Sequence, residues 1–150
     1  MALKTFLIFL FIAIVTISFA EAQSSVGIVH VNGTLYCTAN GSPGANGNAT
    51  TVFPNATLQV ACSADVVANA PANATATTNG EYRVVLIPRP NATVDSIVSN
   101  CRLFVLTPLS TCNSALPSAS LVSNLRFVRT VFISFLRLTY MVAVGFTLQL

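Results

Sequence analysis

Charge is what this sequence has least of. Only 7% of its 150 residues are Asp, Glu, Lys or Arg, and the chain holds four acids, seven bases and one histidine. Acid–base catalysis needs several titratable groups brought together, and this supply is thin. His30 sits on the strand face opposite Val29 and Val31, so it reads as a solvent-facing residue rather than a base. Asp65 and Asp95 fall in loop-like sequence and Glu81 follows a turn, which makes all three solvated surface carboxylates. The chain also lacks Gly-x-Gly-x-x-Gly, a Walker pattern and Gly-x-Ser-x-Gly, excluding the dinucleotide, P-loop and nucleophile-elbow signatures. Close cysteine pairs are missing too. The smallest gap between cysteines is 11 residues, against the Cys-x-x-Cys spacing that zinc sites use, and His30 is the only base a reactive thiol could borrow. The arginines are dispersed rather than clustered, which excludes a nucleic-acid stripe. The expectation is a non-enzyme without metal or cofactor.

What is present begins with an N-terminal leader. Lys4 supplies one positive charge, residues 5–19 form an apolar run, and Ala20-Glu21-Ala22 has the small-x-small pattern that signal peptidase accepts. The run of 15 residues is short of the roughly 20 that a spanning helix needs. Residues 1–22 are therefore expected to be a cleaved signal peptide, with residues 23–150 one secreted domain of ordinary size. That part carries six arginines against three acids, a net charge of +3. Its scarcity of charge can be offset by sugar. Sequons occur at Asn32, Asn40, Asn48, Asn55, Asn73 and Asn91, and such sites are used only on chains entering the secretory pathway.

Four cysteines, Cys37, Cys62, Cys101 and Cys112, in a chain bound for an oxidising compartment imply two disulfides. Spacing leaves all three pairings open. Cys62 continues the face of Leu58 and Val60, and Cys101 continues that of Leu103 and Val105, so both sulfurs are expected to point toward the core.

Period-two patterning dominates the rest. Val29, Val31, Leu35 and Cys37 share one face of a first strand, and residues 56–62 form a second. Residues 38–51 read as a surface loop, and residues 67–78 as a long loop or a weak edge strand. Asn79-Gly80 is a turn signal, after which Tyr82, Val84 and Leu86 alternate with Glu81, Arg83 and Val85 until Pro88 and Pro90. Residues 101–106 add a fourth strand. Tyr140, Val142, Val144, Phe146, Leu148 and Leu150 again alternate with Met141, Ala143, Gly145, Thr147 and Gln149. With no convincing amphipathic helix, the pattern predicts an all-β fold: a small antiparallel β-sandwich or barrel stapled by two disulfides. Residues 130–150 hold only one charge, Arg137, and are long enough for a membrane helix or a removable lipid-anchor signal. Their clean alternation favours two core strands, and a mid-segment arginine would cost roughly 2.5–3.5 kcal/mol in a spanning helix.

Several blocks carry a resemblance. Gly33-Thr-Leu-Tyr-Cys37, Phe53-Pro-Asn-Ala-Thr-Leu-Gln-Val-Ala-Cys62, the Asn79-Gly80-x-Tyr82 turn and Cys101-Arg-Leu-Phe-Val-Leu-Thr-Pro-Leu-Ser-Thr-Cys112-Asn resemble the phylloplanins, plant leaf-surface proteins. More distantly, the order of cysteines is similar to the family of the major olive pollen allergen. The resemblance covers about residues 28–125. Beyond it, residues 129–140 are apolar and Gly-free where phylloplanins carry a Gly-rich stretch and a proline. It implies a secreted, non-catalytic defence glycoprotein of plant surfaces that inhibits spore germination and growth of fungi and oomycetes. Its partner would be a microbial cell surface or wall component, with no nucleic acid and no membrane partner expected. It further implies a sandwich-like β fold and, from the pollen branch, the pairing Cys37–Cys112 with Cys62–Cys101. Two alternatives stand beside it: a structural or developmental wall protein of the pollen type, and a surface protein tethered by residues 130–150.

Overall fold

The computed structural model describes residues 26–44 and 50–149. Eight strands follow one another: β1 (Ile28–Thr34), β2 (Thr57–Ala61), β3 (Ala72–Thr75), β4 (Glu81–Leu86), β5 (Arg102–Val105), β6 (Ser120–Ile133), β7 (Leu136–Ala143) and β8 (Thr147–Gln149). They form one sheet in the order β3-β2-β5-β6-β7-β1-β4, with β8 also paired to β6. The sheet curls until its ends nearly meet. Val67 bridges Pro88, Ala68 N donates to Ile87 O at 2.8 Å, and Thr77 N donates to Glu81 O at 2.8 Å, so the segments around β3 and β4 approach each other. The result is all-β and barrel-like. Residues 67–78 contribute both loop and the edge strand β3.

Alternation decides what faces inward. In β4 the buried residues are Tyr82, Val84 and Leu86 and the exposed ones Glu81, Arg83 and Val85. Val29 and Val31 of β1, Leu58 and Val60 of β2, Leu103 and Val105 of β5, Leu121 and Leu125 of β6 and Met141 of β7 complete the barrel interior, all essentially inaccessible. Fully burying such a side chain is worth about 1.5–3 kcal/mol, so this set supplies the main cohesive force.

Four features depart from the sequence reading. β1 runs parallel to β7, Ile28 opposite Leu138 and Val31 opposite Met141, while every other strand pair is antiparallel. Period-two patterning fixes faces but carries no information about direction. A short helix, α1 (Val94–Asn100), precedes β5 and buries Ile97. It is held by a capping box: Ser96 N donates to Thr93 Oγ1 at 3.1 Å and Thr93 N donates to Ser96 Oγ at 2.8 Å. Seven residues are too few to show helical periodicity. The fully buried members of β7 on the inward face are Thr139 and Met141, while Tyr140 and Val142 are half-buried, so the face carrying Tyr140 and Val142 lies outward.

The fourth departure concerns residues 130–149, which lie in β6, β7 and β8 but are not all core. No helix among the described residues is long and apolar enough to cross a membrane. β5 pairs only with residues 121–124 of β6. Past that point β6 continues with β7 alone, through a register shift between Phe127 and Arg129, and the two strands extend as a hairpin whose end is exposed. Alternation identified the strands correctly but could not show that the barrel ends before they do.

Candidate functional site

Two disulfides brace the barrel. Cys62 and Cys101 join the end of β2 to the start of the neighbouring β5, with Cα atoms 4.3 Å apart, and Cys37 and Cys112 join the segment after β1 to the 3₁₀ turn Leu109–Thr111, with Cα atoms 6.1 Å apart. The described residues contain no free cysteine.

The acids and the histidine do not converge. Asp65, Glu81 and Asp95 are exposed and lie on separate elements. Among the described residues no group of three or more His, Cys, Asp or Glu could hold a metal ion. His30 differs from its expected place in solvent. It is half-buried on β1 between Val85 of β4 and Tyr140 of β7, its ring 5.6 Å from the Tyr140 ring, and its Nδ1 is buried without a hydrogen-bond partner. Burial, assisted by the nearby Arg83 guanidinium, lowers its pKa from the ordinary 6.5.

The sequons distribute around the barrel. Asn55, Asn73 and Asn91 are exposed, and Asn40 is exposed in a turn where its Oδ1 accepts from Thr38 Oγ1 at 2.9 Å and Ser42 N at 3.1 Å. Asn55 occupies the left-handed region at φ 61°, a conformation that asparagine tolerates. Asn32 is half-buried in β1 opposite Arg83, with its Oδ1 buried and unpartnered. Asn48 lies outside the described residues, as do residues 1–22, the expected signal peptide.

A polar cleft of about 590 Å³ opens beside Asn32, between Gly33 and Thr34 of β1, Thr75 and Thr77, and Glu81, Tyr82 and Arg83 of β4. Its floor follows from one cross-strand pair. Gly33 stands opposite Tyr82, and a Cβ on Gly33 would meet Tyr82 Oη at 2.5 Å, so the ring lies over the space glycine leaves. Burial raises the Tyr82 pKa from 10 to about 12. Thr77 and Glu81, which line the cleft, flank the Asn79-Gly80 turn, in which Gly80 adopts φ 78° and its N donates to Thr77 O at 3.0 Å. The cleft offers hydroxyls, an amide and one charge of each sign, the equipment of a hydrogen-bonding surface. Alternation places Glu81, Tyr82 and Arg83 on one strand but has no means of joining them to Gly33 across the ladder.

Comparison with known proteins gives this frame a lineage. A family model described as phylloplanin antifungal protein matches residues 25–150. The chain belongs to the phylloplanin family. Phylloplanin of Nicotiana tabacum is 35% identical over 130 residues, covering 83% of this chain and 79% of its own length. The phylloplanin match runs through the C-terminal hairpin to residue 150, whereas the resemblance seen in sequence ended near Leu125. No solved structure matches the chain significantly.

Proposed function

We infer that this protein is a secreted defence glycoprotein of the phylloplanin type, which restrains fungal or oomycete spores at the plant surface through its exterior and without catalysis. The observation that carries the reading is membership of a family whose description is antifungal, over nearly all the chain after the leader. Supporting it are two cystines, the state expected of an exported chain, and four exposed sequons at Asn40, Asn55, Asn73 and Asn91. Residues 1–22 serve as the export signal in this reading. The scattered Asp65, Glu81 and Asp95 leave the surface as the working part.

The test is a germination assay with the protein purified from a secreting host. A dose-dependent fall in germination of fungal or oomycete spores is expected, lost on reduction of both disulfides. Unchanged germination at every dose with correctly bridged protein would overturn the reading. Tight retention on wall polysaccharide without any effect on spores would favour a structural wall role instead.

A further inference from the structure

The β6–β7 hairpin ends in a group of apolar side chains that the barrel does not cover. Phe132 is 67% exposed, Ile133 54%, Phe135 107% and Leu136 45%, around a two-residue turn in which Ser134 takes φ 54°. Ile87, itself 52% exposed, borders the same hollow as Phe135 and Leu136. Soluble proteins seldom leave such a contiguous group in water without a partner for it.

Charge and order along the hairpin identify the partner. Arg137 lies one residue pair above the tip, opposite Phe132, with its guanidinium 5.1 Å from that ring centre. Arg129 and Tyr140 form a second cation–aromatic pair at 5.4 Å, four pairs from Ile133 along β6, roughly 13 Å at the usual strand rise. Arg126 follows opposite Val142. The sequence has no acidic residue after Asp95, so the hairpin presents cations only. An apolar end followed by arginine and tyrosine is the order that a lipid interface rewards, with hydrocarbon at the tip and snorkelling guanidinium and phenol groups among headgroups.

We propose that the β6–β7 hairpin is a membrane-contact finger that inserts Ile133, Phe135 and Leu136 shallowly into bilayers rich in anionic phospholipid. A second copy of the chain fits less well, because joining two tips would crowd Arg126, Arg129 and Arg137 of both copies with no carboxylate on either hairpin. A wall polysaccharide could stack on Phe132 or Phe135 but gives Ile133 and Leu136 nothing apolar to enter. Insertion stays shallow because the outer edge of β6 beyond its β5 partner leaves backbone groups that hydrocarbon cannot satisfy. The inference deepens the proposed function by naming the partner class, and replaces the expectation that membranes are not involved.

The test is partitioning of the full secreted protein onto vesicles of phosphatidylcholine, with and without one third phosphatidylglycerol. Binding is expected to the mixed vesicles and to weaken with salt. Ile133→Ser/Phe135→Ser should lower the partition coefficient at least about tenfold while leaving the melting temperature unchanged, since both side chains are exposed. Arg126→Gln/Arg129→Gln, which leaves Arg137 in place, should weaken the preference for anionic lipid. No binding to either vesicle, or binding indifferent to the tip variant, would overturn the inference. So would concentration-dependent dimers that the tip variant abolishes without any lipid binding. Spore inhibition by protein that ignores vesicles sinks the finger and keeps the function; vesicle binding without spore inhibition does the reverse.

Discussion

Replacing Gly33 by alanine isolates the pair on which the cleft is built. Gly33 has no left-handed φ, so alanine is allowed by the backbone and any penalty must come from Tyr82. An added Cβ would lie 2.5 Å from Tyr82 Oη and 2.8 Å from Cζ, both inside contact distance, while the ring is only 6% exposed and cannot yield without leaving its site. Partial displacement forfeits about 1–2 kcal/mol of the burial that a large apolar side chain supplies. Alanine returns roughly 0.5–1 kcal/mol, because a strand glycine costs more chain entropy. The expected net loss is therefore about 1 kcal/mol, or roughly 4 °C in Tm for a domain of this size. Urea denaturation gives the free energy, and spectroscopic titration of the tyrosines gives an independent readout. The Tyr82 pKa of about 12 should fall toward 10 as the ring regains solvent. In a Tyr82→Ala background the same Gly33→Ala change should become stabilising by about 0.5 kcal/mol, giving a coupling energy of roughly 1.5 kcal/mol. The reasoning fails if Gly33→Ala costs the same in both backgrounds, or if the Tyr82 titration does not move.

Two other perturbations test the frame. Cys62→Ala/Cys101→Ala opens a bridge of sequence separation 39, for which the chain-entropy estimate gives a loss of about 4 kcal/mol, and Cys37→Ala/Cys112→Ala one of separation 75, for which it gives about 4.5 kcal/mol. Urea midpoints should drop severely in both, and a loss under about 1 kcal/mol in either would mean that its loop is already closed in the unfolded chain. His30 gives the pH dependence. Its folded pKa lies below the unfolded 6.5, so the unfolded chain takes the proton first; stability is complete above pH 6.5 and declines as pH falls through the folded value. Denaturation curves on either side of that window should differ for the native sequence and become alike in His30→Gln, and a native sequence indifferent to pH there would refute the assignment.

How much of this was legible beforehand depends on whether a feature is local. The inward faces of β1, β2, β4 and β5 could be read residue by residue, because Val29, Leu58, Val84 and Leu103 each repeat at period two beside polar neighbours. The all-β class followed from those runs and from Asn79-Gly80. Relations between distant segments were hidden. Nothing in β1 or β7 announces that they run parallel, and nothing in Gly33 announces that Tyr82, 49 positions later, will lie over it. The capping box of α1 was readable in principle from Thr93 and Ser96, yet Ser96 is not the Glu or Gln that usually marks the motif.

The hairpin shows a different limit. Its alternation is as regular as that of the core strands, so sequence alone placed both members of residues 130–150 inside, but burial depends on what lies across the sheet. Leu121 and Leu125 face the barrel interior, whereas Phe132 and Ile133, later in the same strand, have passed beyond the neighbour that β5 provides. The strand is therefore one element with two environments, anchored at one end by the hydrophobic effect and offering at the other the same chemistry unspent. Removing the exposed apolar groups at the tip should leave the fold intact, whereas removing Leu121 or Leu125 should not. That asymmetry makes the hairpin a separable surface, and it ties whatever the tip contacts to a rigid, disulfide-braced base.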